Sequence, residues 1–160
     1  MVAGIHHGRS RWHRLGMPRP KDRLMAMKGA DKHLRRLRRL SDEAVDMAGK
    51  VVFVGSDMVR AEAFRSISAG SVSGKNHVPS APGEPPNRDT GVLQDNLVNE
   101  KTGPLSAEVR SEGPYATELE LGTSKMEARP YMRPARDATE PKIQRLFREE
   151  MGKLVRRSGK

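Results

Sequence analysis

Three scarcities narrow the classes of protein to which this 160-residue chain can belong. Cysteine is absent, which excludes disulfide bonds and thiolate metal sites. Aromatic residues make up 4% and apolar residues 35% of the chain, below the usual globular share. Part of the chain is therefore expected to lie outside a packed core. Apolar runs such as Val51 to Val54 do not exceed four residues, far short of the roughly 20 that a membrane helix needs, so no membrane partner is expected.

The net charge of +10 is concentrated at one end of the chain. Residues 1–40 contain twelve Lys or Arg residues but only Asp22 and Asp31 as acids, so the remainder is neutral overall. Residues 1–29 show no apolar period and many Gly and Pro residues, which predicts an extended basic arm. Such an arm can bind nucleic acid or an acidic protein surface. Candidate contacts with DNA or a partner, in the arm and just after it, are Arg9, Arg11, Trp12, Arg14, Arg35, Arg36, Arg38 and Arg39.

Residues 31–69 are predicted to form one long amphipathic helix, because apolar residues recur at three- and four-residue steps. Asp31 is its predicted N-cap. Gly49 and Gly55 each weaken a helix by about 1 kcal/mol relative to Ala. They predict either a break in the helix or a close packing contact. An unbroken helix of this length, about 60 Å, would project into an assembly.

The middle of the chain is predicted to contain a loop and then a small sheet. Residues 70–90 are dominated by Gly, Ser, Pro and Asn, which predicts a long loop. Leu97–Glu100 and Leu105–Ser111 are predicted antiparallel strands joined by a turn at 101–104. Residues 115–121 are compatible with a short helix or a strand.

Residues 134–157 are predicted to form a C-terminal amphipathic helix with Pro134 in its first turn. Pro141 would disturb this helix unless it began near Thr139. Together these elements predict a mixed chain in which short strands lie between a long N-terminal helix and a C-terminal helix. Residues 30–157 are expected to form one domain after the arm.

No residue pattern indicates catalysis. Four of the five histidines lie within residues 1–33, without carboxylates at a usual metal-ligand spacing. Glu118 and Glu120 would share one face of a strand, as a pair of catalytic carboxylates does, but no aromatic platform for a sugar accompanies them. An ion pair at the surface or between subunits is favoured. The chain is therefore not expected to be an enzyme, and no catalytic, metal or cofactor residue is assigned.

Three sequence blocks occur in a fixed order. SAPGEPPNRDTGVLQDNL starts at Ser80, PYATELELGT follows the predicted strands, and MEARPYMRPA opens the last helix. In this order, flanked by two helices, they resemble the small tail-component family of long-tailed bacteriophages. The chain departs from the family pattern at Leu121, where an aromatic residue is usual. The residues that match the pattern are Asp89, Thr90, Gly91, Leu93, Tyr115, Ala116, Glu120, Gly122, Thr123, Pro130, Pro134 and Ala135.

These residue types are suited to building a scaffold. Asp89 or Thr90 is predicted to cap a short helix, with Gly91 allowing a tight entry. Gly122 would permit a sharp exit from the next element, and Thr123 would bond locally. The prolines at 130 and 134 would stiffen the approach to the last helix.

The resemblance implies an α+β fold, in which a small antiparallel sheet is packed by a long N-terminal helix and a C-terminal helix. It also implies a structural virion protein at the head–tail junction. It implies a homo-oligomeric ring, expected to be a hexamer, that joins tail to head and lines the DNA channel after assembly in the bacterial cytoplasm. Expected partners are head-completion or connector proteins, tail-tube or terminator proteins, and DNA bound without sequence specificity. Two alternatives stay open: a tail terminator that caps the tail tube, and a nucleic-acid-binding protein with a basic arm.

Overall fold

The computed structural model describes residues 28–69 and 74–158. Nearly all of the predicted arm lies outside these residues. The predicted α+β class is confirmed, with an antiparallel strand pair between a long N-terminal and a C-terminal helix. The elements are helix α1 (Lys28–Ser68), a 3₁₀ turn (Gly74–Asn76), helix α2 (Val92–Asp95), strands β1 (Leu97–Gly103) and β2 (Ser106–Ser111), helix α3 (Ala116–Leu121) and helix α4 (Met132–Ser158).

The chain divides into two compact units, residues 1–41 and 42–160. In the first unit, the described part is the N-terminal portion of α1. This helix begins at Lys28, so Asp31 lies in its first turn and the predicted N-cap is wrong. A carboxylate there still stabilises the helix through its dipole. Leu34 and Leu37, two apolar residues of this portion, are nearly half exposed.

In the second unit, α1 continues without a break, and its glycines make close contacts instead. A Cβ atom at Gly49 would overlap the carbonyl oxygen of Pro104 in the hairpin turn. A Cβ atom at Gly55 would lie 2.9 Å from Cγ2 of Ile143 in α4. Both glycines are buried. Of the two predicted roles for these residues, close packing is therefore the one that the structure supports.

We expect Gly49→Ala to destabilise the fold by about 1–2 kcal/mol, because the overlap with a backbone oxygen outweighs the better helix propensity of Ala. Gly29→Ala is the matched control on the same helix, since nothing lies within 4 Å of its Cβ position. It should leave stability unchanged or raise it by up to about 1 kcal/mol. Urea unfolding measures both. A Gly49→Ala protein as stable as the wild type would contradict the packing role.

The strands pair antiparallel, with Leu97 opposite Ser111 and Gly103 opposite Ser106. The predicted turn at 101–104 is wrong in its bounds: β1 extends to Gly103, and the turn is formed by residues 104 and 105. Leu105, predicted to begin the second strand, lies in this turn and is about half exposed. The register shifts between Lys101 and Gly103, at the end of the ladder.

The last two helices settle the predictions that the sequence left open. Residues 116–121 form a helix rather than a strand. Helix α4 starts at Met132, so the alternative start near Thr139 is wrong, and Pro141 lies inside the helix. Buried Thr139 donates its hydroxyl to the carbonyl oxygen of Ala135 at 2.8 Å. Pro141 lacks the N–H that a helix residue donates four residues back, which removes one bond from the α4 ladder.

The core of the second unit is small. Its buried members are Ala63, Ile67, Leu93, Leu97, Ala116, Tyr131 and Ala135. They come from α1, α2, β1, α3 and α4, so the short elements are held by the two long helices. Within the described residues, no helix is both long and apolar enough to cross a membrane.

Candidate functional site

The three sequence blocks meet in the core. Leu93 from the first block, Ala116 from the second, and Tyr131 and Ala135 from the third belong to one buried cluster. Tyr131 is the bulkiest of them at 1% exposure. Its hydroxyl donates to Oγ of Ser111 at 2.7 Å, and burial raises the pKa of Tyr131 above its ordinary value. The three blocks thus pack together around one buried cluster, between the hairpin and α4.

Glu120 joins the second block to the third. Its Oε2 accepts the backbone N–H groups of Tyr131 at 2.8 Å and Met132 at 3.0 Å, and its Oε1 accepts that of Arg133 at 3.0 Å. These groups open α4 and have no acceptor within the helix. The carboxylate also lies at the positive end of the helix dipole. Glu120 is therefore the N-terminal cap of α4, supplied by another helix.

This role corrects the interpretation of the two carboxylates. Glu118 and Glu120 lie on a helix, where residues two apart point to nearly opposite sides, so the predicted shared face is wrong. Within the described residues the Glu120 carboxylate binds backbone N–H groups, and an ion pair between subunits stays a prediction. No sequence pattern indicated this contact, because the helix that Glu120 caps begins twelve residues later.

The glycines of the first two blocks have positive φ angles. Gly91 is the N-cap of α2 with φ 89°, and no side chain caps this helix, so the predicted capping by Asp89 or Thr90 is wrong. Oδ1 of Asp89 instead accepts the N–H of Gly74 at 3.4 Å. Gly122 ends α3 with φ 77° and ψ 177°, the sharp exit that was predicted.

Thr123, directly after this exit, bonds locally as predicted. Its hydroxyl oxygen accepts the N–H groups of Lys125 at 3.2 Å and Met126 at 3.1 Å. Pro134 lies in the first turn of α4, as predicted. The stiffening effect assigned to the prolines at 130 and 134 stays a prediction.

A cavity of about 220 Å³ lies between the loop 77–91, α2, α3 and the end of α1. Ser80, Gln94 and Arg129 line it, and each has a buried polar atom without a hydrogen-bond partner in the described part of the chain: Oγ, Oε1 and Nε respectively. Tyr115 of the second block lies on its wall and is 42% exposed.

Apolar side chains remain exposed on both long helices. Phe53, Val54 and Phe64 of α1 are 40–47% exposed, and Phe147 and Val155 of α4 are 38% and 55% exposed. An apolar groove of about 300 Å³ between the two helices is lined in part by Val51, Ile143 and Phe147. Contiguous exposed apolar surface marks sites of protein association.

The predicted basic contacts divide into two groups. Arg35, Arg36, Arg38 and Arg39 lie on α1 in the first unit and are all exposed. Arg9, Arg11, Trp12 and Arg14 lie outside the described residues. Nowhere in residues 28–69 and 74–158 do three His, Asp or Glu side chains lie close enough to hold a metal ion.

Comparison with known proteins places the chain in a family. The family described as "Bacteriophage HK97-gp10, putative tail-component" matches residues 31–122. The match runs from the first turn of α1 to Gly122 and includes the first block and all of the second except Thr123, while the third block lies beyond it. No curated protein and no solved structure matches the chain. Because the match covers more than half of its length, the chain belongs to this family of bacteriophage tail components.

Proposed function

We propose that the protein is a structural ring component of the neck, where the tail joins the head and DNA passes through. Membership of a tail-component family supports a structural role in the virion. The ring, its expected six copies and its location at the head–tail junction are the finer part of the proposal. Tail termination, one layer further along the tail, is the alternative within the same class.

The exposed apolar surface of the two long helices carries this proposal. Phe53 and Phe64 are eleven residues apart on α1, which places them within about 20° of each other around the helix. A soluble monomer rarely leaves two aromatic rings exposed along one helix face. In a ring, such a face would pack on a different surface of the next copy.

A second candidate function is DNA binding by the basic residues of α1. Lys32 and the four exposed arginines lie within eight consecutive residues, with only His33, Leu34 and Leu37 between them. Cations at this density bind phosphates without reading sequence. In a neck ring this activity would accompany the structural role; in a free nucleic-acid-binding protein it would be the whole function.

Light scattering coupled to size exclusion tests ring formation. We expect the wild-type protein to elute as a closed oligomer, near six times the 17.8 kDa chain mass. Phe53→Asp should weaken association at least tenfold, because a charge replaces a buried anchor. Thr102→Asp, on the exposed hairpin, is the control and should assemble like the wild type. A wild-type protein that stays monomeric at every concentration contradicts the ring.

Two further measurements separate the alternatives. Cryo-electron microscopy of the virion would place the ring in the neck or at the tail terminus and count its copies. Titration with duplex DNA at several salt concentrations tests the second candidate, because phosphate binding falls steeply with salt. A monomer with strong, salt-dependent DNA affinity would favour the nucleic-acid-binding function over the ring.

A further inference from the structure

Two arginines on the exposed side of α4 have no acidic partner. Arg145 and Arg156 are both exposed, and neither makes a hydrogen bond or an ion pair within the described part of the chain. Lys153, which lies between them in the sequence, is instead held by Glu150 at 2.6 Å. The charges of the two arginines are therefore available to a ligand from outside the subunit.

Gly152 lies on the line that joins these arginines. Positions 145, 152 and 156 follow an i, i+7, i+11 spacing, which places them within about 40° of one another around the helix. Nη1 of Arg156 is 3.4 Å from the place that a Cβ atom of residue 152 would occupy. Because Gly152 has no side chain, the guanidinium group of Arg156 lies back along the helix, toward Arg145.

Packing within the subunit does not account for this glycine. Gly49 and Gly55 are buried against other elements, whereas the Cβ position of Gly152 meets only the flexible end of Arg156. Glycine weakens a helix relative to alanine, and no close contact between elements compensates for that loss here. The effect that the structure does show is on the position of the Arg156 guanidinium group.

The composition of this side of α4 favours phosphate groups over an acidic protein surface. Within about 100° of the helix circumference it carries four cations and one acid: Lys142, Arg145, Glu149, Lys153 and Arg156. No apolar side chain lies among them, although protein interfaces depend on apolar and aromatic anchors. Interfaces with nucleic acid are more polar and far more positive, and the planar fork of arginine matches the oxygens of a phosphate.

The same face favours a duplex over a single strand. Arg145 and Arg156 are eleven residues apart, which corresponds to about 16 Å along the helix axis. A DNA duplex carries one phosphate charge per about 1.7 Å of its axis, so both arginines can contact phosphates at the same time. Single strands bind chiefly by stacking their bases on aromatic side chains, and this face of α4 has none.

We propose that this face of α4, from Lys142 to Arg156, binds the phosphate backbone of duplex DNA without reading its sequence. The inference rests on the DNA-binding candidate given under the proposed function and names a further surface for it, in addition to the basic residues of α1. It does not require a ring. Gly152 acts as a positioning residue, because it determines where the Arg156 guanidinium group lies.

Fluorescence anisotropy of a labelled duplex, measured with the full chain at several salt concentrations, tests the surface. Arg145→Gln combined with Arg156→Gln should weaken binding about tenfold at about 50 mM salt and reduce the salt slope by about two, one for each phosphate contact. Arg133→Gln combined with Arg136→Gln is the control, since it removes the same charge from another side of α4. Equal losses in the two double variants would show that only net charge matters and would overturn the proposal.

Single substitutions separate this role from a structural one. Gly152→Ala should raise the thermal midpoint by about 2–4 °C, because alanine is the better helix former. It should also weaken DNA binding about threefold, because the new methyl group displaces the guanidinium group of Arg156. Glu149→Gln should tighten binding about threefold, since it removes a charge that repels phosphate. If neither substitution changes the affinity for DNA, the proposal is wrong.

The wild-type protein distinguishes failure of this surface from failure of DNA binding altogether. No binding of the duplex at low salt would refute both the DNA-binding candidate and the α4 surface. Wild-type binding that the Arg145 and Arg156 substitutions leave unchanged would refute the α4 surface alone. Polyglutamate should compete poorly with the labelled duplex. Displacement as effective as that by unlabelled DNA would show that acidic proteins are the better partner and would contradict the proposal.

Discussion

Replacing Gly122 with alanine should destabilise the fold by about 3 kcal/mol, the largest effect that we expect of any single substitution. With φ 77° and ψ 177°, Gly122 lies in a region of backbone space that is essentially restricted to glycine. A Cβ atom there would also lie 2.8 Å from the backbone nitrogen of Ala128 and 2.9 Å from the carbonyl oxygen of Met126. Strain and overpacking each cost about 1–3 kcal/mol. Thermal unfolding should show a midpoint lower by roughly 6–12 °C.

Gly83 provides the control that separates the two causes. Its φ of 84° is similarly positive, but nothing lies within 4 Å of its Cβ position. Gly83→Ala should therefore cost only the strain, about 1–2 kcal/mol. Equal losses in the two variants would show that the close approach of residues 126 and 128 contributes nothing. Both proteins must be compared at one concentration, since association adds to apparent stability.

Replacing Glu120 with alanine should cost about 2–3 kcal/mol. The substitution leaves three backbone N–H groups at the start of α4 without their acceptor, in a site that is partly buried. It also removes a negative charge from the positive end of the helix dipole. The free energy of unfolding in urea measures the loss. Glu120→Gln, which keeps an acceptor oxygen but not the charge, should lose less.

Glu118→Ala is the matched control for Glu120→Ala. Glu118 lies on the same short helix, carries the same charge and is exposed. Its substitution should change stability by no more than about 0.5 kcal/mol. If the two alanine variants lose the same amount, the effect comes from helix α3 or from net charge, and the capping role assigned to Glu120 is wrong.

The elements that could be predicted from the sequence were those with a local cause. The apolar period of α1 and the alternation of the second strand depend on neighbours in the chain, so both were found to within a few residues. Residues 115–121 are too short for either period to dominate, and only their burial against α1 and α4 decides for a helix.

The features that escaped prediction depend on distant residues. From the sequence alone, Gly49 is interpreted as a helix breaker. Its packing contact is with Pro104, which lies more than fifty positions later in the chain. Pro141 was interpreted as lying in a helix start, although the two turns of α4 before it are already held by the buried residues Ala135 and Thr139. The cavity was not predicted at all, because Ser80, Gln94 and Arg129 come from three separate segments.

The capping contact of Glu120 also bears on the order of folding. Its three hydrogen bonds join residues only 11 to 13 positions apart, whereas the contact between Gly49 and Pro104 closes a loop several times longer. A short loop closes within about 10–100 ns, and contacts of low sequence separation favour rapid folding. Like the β1–β2 hairpin, the α3–α4 junction is thus a part of the domain that can form early, before α1 packs against it. The contact of Glu120 would then guide the folding of the subunit as well as stabilise the folded state.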